Sequence, residues 1–120
     1  MLPKKEDSFK DFIIDQLCGI EGVTDRAMFG GHGLYRGGTF FGIIFKGRLY
    51  FKTNNSTRTD YVERGMKAFH PNPKQTLKNY FEVPVEIIDG PDQLVDWAQD
   101  ALRCCKQTTL DQLNRQNEET

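Results

Sequence analysis

Apolar residues open the chain on a helical stripe. In SFKDFIIDQLCGIEG, Phe9, Phe12, Ile13, Leu17 and Ile20 recur every three or four positions, which predicts a first helix. Ser8 stands where an N-cap belongs, and Gly19 and Gly22 act as stop signals. The period then changes to an alternating one. A strand is expected near residues 24–29, and GLYRGGTFFGIIFKGRLYFKT reads as a meander. Gly37-Gly38 and Lys46-Gly47 each suit a two-residue hairpin turn. These turns predict the register: Arg36 opposite Thr39 and Gly33 opposite Gly42, then Phe45 opposite Arg48 and Gly42 opposite Phe51. Strict alternation puts Tyr35, Phe40, Ile44, Leu49 and Phe51 on one face. It puts Leu34, Phe41, Ile43, Phe45 and Tyr50 on the other, with Arg36, Arg48 and Lys52 among them. Gly33 and Gly42 would then leave a hollow beside Phe51, for a large ring or a closely packed helix to fill.

Beyond the meander, NSTRTDYVERGM reads as a short helix capped by Ser56 or Thr57 and ended by Gly65. KAF and LKNYFEVP read as two short strands. Pro71 and Pro73 exclude a regular element from the HPNPKQT loop between them. DGPDQLVDWAQDALRCC is the clearest helix: Asp89 or Gly90 caps it, Pro91 suits its first turn, and Leu94, Trp97, Ala98, Ala101, Leu102 and Cys105 line one side. The polar segment 106–120 reads as a flexible tail after a domain of residues 1–105. The order is helix, three or four strands, helix, two strands, helix. That is α+β with a mainly antiparallel sheet and helices on one face.

Composition narrows the function. The chain has 120 residues, one domain's worth, and 38% are apolar. Sixteen basic residues meet seventeen acidic ones, so no global field draws in nucleic acid or an anionic membrane. The charged start MLPKKEDSFK lacks an apolar signal core, and no apolar run is long enough to span a bilayer. Three cysteines, two of them adjacent, fit a reduced cytoplasmic protein.

The glycine-rich stretch MFGGHGLYRGG matches neither phosphate-binding fingerprint. After Gly33 come Leu34 and Tyr35 where a Walker loop needs Lys and Ser or Thr, and a strand follows in place of a helix. Its glycines read as structural, with Gly30-Gly31 at a turn between strands. His32 and His70 are too few for zinc, and Cys104 and Cys105 diverge by about 100° on a helix. Cys105 is expected in the core, Cys104 at the surface, and Cys18 as a small buried residue. Asp92, Asp96 and Asp100 read as the solvated side of the last helix. No cofactor, metal or catalytic residue is assigned. If the helices cover one face, Phe41, Ile43, Phe45, Arg48 and Tyr50 form an interface for a protein partner or a second copy. An alternative is a small-ligand-binding protein or an enzyme that uses Gly30–Gly33 with His32 and Tyr35.

RAMFGGHGLYRGGTFFGIIFKGRLYFK resembles the signature of the TfoX (Sxy) N-terminal domain family. Arg26, Met28, Phe29, Gly30, Gly31, Gly33, Leu34, Tyr35, Phe41, Gly42, Leu49, Tyr50 and Lys52 occupy its positions. NYFEVPVEIIDGPDQLVDWAQDAL is similar to the family's close, so the resemblance runs from about Phe9 to Leu102. It implies an α-β-β-β-α-β-β-α order and no catalytic residues. It also implies association with bacterial regulators of natural competence, which act as transcriptional co-activators beside the cyclic-AMP receptor protein. The helix-hairpin-helix-like second domain of full-length competence regulators has no counterpart here. The expectation is a stand-alone N-terminal module, a non-enzymatic protein-interaction domain that does not itself bind DNA.

Overall fold

The structure is a computed structural model that describes residues 5–28 and 30–118, with side chains over 8–28 and 30–105. It is α+β. Helix α1 (Lys5–Gln16) leads into strands β1 (Val23–Met28), β2 (Gly31–Arg36), β3 (Thr39–Phe45) and β4 (Arg48–Lys52). Then follow α2 (Asn55–Glu63), β5 (Ala68–Asn72), β6 (Gln75–Glu82), α3 (Val85–Ile88) and α4 (Pro91–Glu118). The order is the expected one, with four strands before α2. All strands pair antiparallel in one sheet of order β1-β2-β3-β4-β6-β5.

Local chemistry accounts for most element ends. Lys46 and Gly47 both take positive φ, 51° and 73°, as a mirror-type hairpin turn requires. The β3–β4 register is accordingly the one the turn dictates, from Phe45 opposite Arg48 to Gly42 opposite Phe51. Asn54, and not Ser56 or Thr57, caps α2. Its side chain accepts from both of those backbone N–H groups, and the Asn54 N–H in turn donates to Thr57 Oγ1. The Gly90 carbonyl accepts the first bond of α4 from Leu94 N–H at 2.8 Å. Helix α1 begins at Lys5, so Ser8 lies inside it and is not its cap.

The strands and helices also differ in places from the sequence reading. Strand β5 continues through Pro71, because it is an edge strand and the missing N–H removes no ladder bond. The loop to β6 shrinks to Pro73-Lys74, held by Lys74 N–H donating to Asn72 Oδ1 at 2.9 Å. Helix α3 was not anticipated. Helix α4 runs on to Glu118 through the segment read as a tail, whose side chains lie outside the described set.

A corrected register reorganises the sheet. The β2–β3 register shifts at Leu34/Tyr35, so Leu34 faces Gly42 and Gly33 faces Ile43. A bulge of this kind re-aims side chains. Leu34 and Phe41 join Ile44, Leu49 and Phe51 beneath the helices, all with no exposure. Ile13 of α1, Leu17 in the turn just after it, Tyr61 of α2, Ile87 of α3, and Leu94, Ala98 and Ala101 of α4 complete that core. Phe12 turns outward, 42% exposed. The opposite face carries a second cluster of Ile43, Tyr50, Phe69 and Tyr80, flanked by Phe40, Phe45 and Leu77.

Candidate functional site

Among the described residues the helices pack their side chains into the first cluster, so the candidate site is built from the face that carries the second. Strand β5 is separated from β3 by β6 and β4, which is about 14 Å in a flat sheet. Yet the Phe69 ring lies 5.3 Å from that of Phe45 and 4.7 Å from that of Tyr50. The β5–β6 hairpin therefore bends over this face, helped by two register breaks in β5. Phe69 is fully buried although no described helix side chain belongs to its cluster. A row of rings continues from Tyr80 to Phe40 at 5.3 Å and from Phe40 to Tyr35 at 5.2 Å. Phe40, Phe45 and Tyr35 remain half-buried, open to solvent on one side.

Cations lie over these rings. The Arg26 guanidinium sits 5.2 Å from the Tyr35 centroid, Lys46 Nζ 5.3 Å from that of Phe45, and Lys52 Nζ 5.4 Å from that of Tyr80. Arg48 Nη1 donates to Glu82 Oε1 at 2.9 Å. Burial raises the Tyr50 phenol, Glu82 adds to the shift, and Arg48 opposes it. Burial likewise pushes the Tyr80 phenol up, with smaller contributions from Cys105 and Tyr35. Both hydroxyls stay protonated at neutral pH, so the face offers donors, rings and positive charge.

The glycines serve the fold in three different ways. Gly30 adopts φ +82°, which an L side chain resists. A Cβ on Gly31 would lie 2.1 Å from the Ile44 carbonyl oxygen, so β3 packs against bare backbone there. A Cβ on Gly33 would lie 2.7 Å from Met28 Cε and 3.0 Å from Phe40 Cε1. The place beside Gly33 is thus taken by a thioether and a ring, and Gly42 packs against Phe51 and Leu34. Gly33 and Gly42 do not share a hollow.

Of the five candidate interface residues, Ile43, Phe45, Arg48 and Tyr50 lie on the helix-free face. Phe41 does not, because the bulge turns it into the helix-covered core with no exposure. Arg36 also changes sides, and its Nε donates to the Glu21 carbonyl at 3.0 Å. The motif residues fall into place around the sheet: Arg26 over Tyr35, Met28 against Gly33, Leu34, Gly42 and Leu49 in the core, Tyr50 and Lys52 on the open face. Phe29 lies outside the described residues. The alternative pair does not converge. His32 is on the Leu34 side of β2, with Nδ1 3.2 Å from Asp25 Oδ2, while Tyr35 stacks on the opposite face.

The sequence reasoning missed Phe69, Tyr80 and Leu77. Alternation in LKNYFE does not group them, because Leu77 and Tyr80 stand three residues apart, and the pairing of β6 with β4 is non-local. Cysteine positions are also corrected. Cys104 is fully buried with Sγ 3.5 Å from Thr57 Oγ1, and Cys105 is half-buried with its thiol donating to the Phe40 carbonyl at 3.2 Å. Cys18 is exposed. Among the described residues, no group of three or more His, Cys, Asp or Glu side chains is placed to hold a metal ion. No described helix is long and apolar enough to cross a membrane.

Residues 15–105 match the family profile of the TfoX N-terminal domain. The chain is also 32% identical over 79 residues to the DNA transformation protein TfoX1 of Aliivibrio fischeri, strain ATCC 700601 / ES114. That alignment covers 64% of this chain and 38% of the relative, so the chain spans well under half of the relative's length.

Proposed function

The chain belongs to the TfoX N-terminal domain family, and from that premise we propose that it is a cytoplasmic, non-enzymatic protein-interaction domain of a competence-type regulatory system. Its docking surface is the helix-free face. The observation that carries this reading is the row of half-buried rings, Tyr35, Phe40 and Phe45, left without a helical layer and rimmed by Arg26, Lys46 and Lys52. Such a patch supplies apolar anchors at its centre and charge at its rim, the usual anatomy of an interface. The rim is cationic, so two copies set face to face would bring like charges together. A different protein with an acidic border around an apolar centre fits better. The near-neutral whole, with Arg48 held by Glu82, favours a protein over DNA as the partner.

The test compares the wild-type chain with Phe45→Glu, Lys46→Glu and, as a control on α2, Val62→Glu. Each is used to retain proteins from an extract of the native host, and each is run in sedimentation. The expected result is a monomer that retains an acidic protein. That protein should be lost with either face variant and kept with the control, with circular dichroism unchanged. Retention of the same protein by Phe45→Glu and Lys46→Glu would remove the face from the mechanism.

A further inference from the structure

On the helix side, at the end of the β2–β3 hairpin, a pocket of about 300 Å³ opens between the sheet and α4. Arg36, Thr39, Gln99, Leu102 and Arg103 line it. Its polar groups are two guanidiniums, a hydroxyl and a carboxamide, and among the described residues no carboxylate lines it. The bulge in the β2–β3 ladder is what brings Arg36 here, by turning it from the helix-free face. Its Nε is held by the Glu21 carbonyl at 3.0 Å, which orients the guanidinium before any ligand arrives. Gln99 and Arg103 stand one turn apart on α4 and present their side chains to the same space, while Leu102 gives it an apolar wall. Arg103 Nη2 donates to Asp100, a neighbour on its own helix that does not line the pocket.

We propose that this pocket binds a small dianion, either a phosphate or a dicarboxylate, with any apolar part of the molecule against Leu102. Paired arginines with no carboxylate among the described lining residues concentrate positive charge in one open cleft. Their planar forks match the oxygens of phosphate or carboxylate. Thr39 and Gln99 add neutral donors of the kind that fix orientation. Asp100 acts as an internal competitor for Arg103, so an arriving anion exchanges one carboxylate partner for a better-placed one. The site is independent of the docking face, since it lies on the other side of the sheet.

The experiment titrates the full chain with inorganic phosphate and, separately, with succinate at constant ionic strength, following backbone amide shifts. Saturable shifts at Thr39 and Gln99 below about 20 mM are expected with at least one anion, since even millimolar affinity is measurable this way. Saturation by phosphate alone assigns a phosphate ligand, and by succinate alone a dicarboxylate. Arg36→Gln and Arg103→Gln should each weaken binding about tenfold, the effect of one charge-assisted pair. Asp100→Asn should tighten it, and Arg48→Gln should leave it unchanged. Because Arg36 also holds the Glu21 carbonyl, Arg103→Gln is the variant that stays informative if Arg36→Gln unfolds. Absence of saturation with both anions, or equal weakening by Arg48→Gln, would overturn the proposal.

Discussion

Replacing Gly31 by alanine is expected to cost far more stability than the same change two residues away. The new Cβ would sit 2.1 Å from the Ile44 oxygen and 3.2 Å from both the Ile44 carbonyl carbon and Phe45 Cα. Ordinary contact begins near 3.4 Å, so β2 and β3 must part by more than an ångström. All three obstructing atoms are backbone in a central strand, and none can rotate away. Strain of about 1–3 kcal/mol adds to about two ladder bonds stretched out of range at roughly 1 kcal/mol each. The expected loss is about 3–5 kcal/mol, against a total of about 5–15 kcal/mol for a domain of ordinary stability. At Gly33 the obstacles are the end of the Met28 thioether, which can swing aside, and the edge of the Phe40 ring at 3.0 Å, which has only a little to give, so Gly33→Ala should cost about 1 kcal/mol. Gly30 has open space but φ +82°, and Gly30→Ala should cost about 1–2 kcal/mol. Urea unfolding followed by circular dichroism and Trp97 fluorescence measures all three through the midpoint at constant slope. The Met28→Ala background should relieve Gly33→Ala and leave Gly31→Ala untouched. A Gly31→Ala chain within 1 kcal/mol of wild type, or a costlier Gly33→Ala, would refute the assignment of separate roles to these glycines.

Alkaline pH should unfold the domain through its buried tyrosines. Burial raises Tyr61 and Tyr80 well above the ordinary phenol range, and Tyr50 in the same direction. The unfolded chain releases these protons near pH 10 while the folded one keeps them. Stability is therefore flat below about pH 9.5 and falls above pH 10, by up to about 1.4 kcal/mol per pH unit for each tyrosine. Tyr61→Phe should flatten that fall, and a denaturation series with an unchanged slope would contradict its burial. Thiol labelling should separate the three cysteines. Exposed Cys18 should react first with a disulfide reagent. Cys105, its thiol raised chiefly by burial, should be slower by about tenfold or more, and Cys104 should react only on unfolding. Equal rates for Cys18 and Cys104 in native buffer would show that α4 docks in another rotation.

What the sequence by itself determined is local. The helical stripe at Ile13, Leu17 and Ile20, the Lys46-Gly47 turn and the register it imposes on β3 and β4 follow from spacing and backbone preference within a few residues. So does the α+β order, and the motif from Arg26 to Lys52 is long enough to mark the family. What the tertiary structure decided is phase. TFFGIIF has apolar residues at nearly every position, so alternation alone does not say which face each takes. Packing beneath the helices settled it by inserting a bulge, which buried Phe41, turned Phe40 outward and sent Arg36 to the other side. The rotation of α4 likewise buried Cys104 in place of Cys105. The bend of β5 over β3 and β4 gathered an aromatic cluster from segments far apart in the chain. Each of these depends on contacts between elements, whose energies no short window contains.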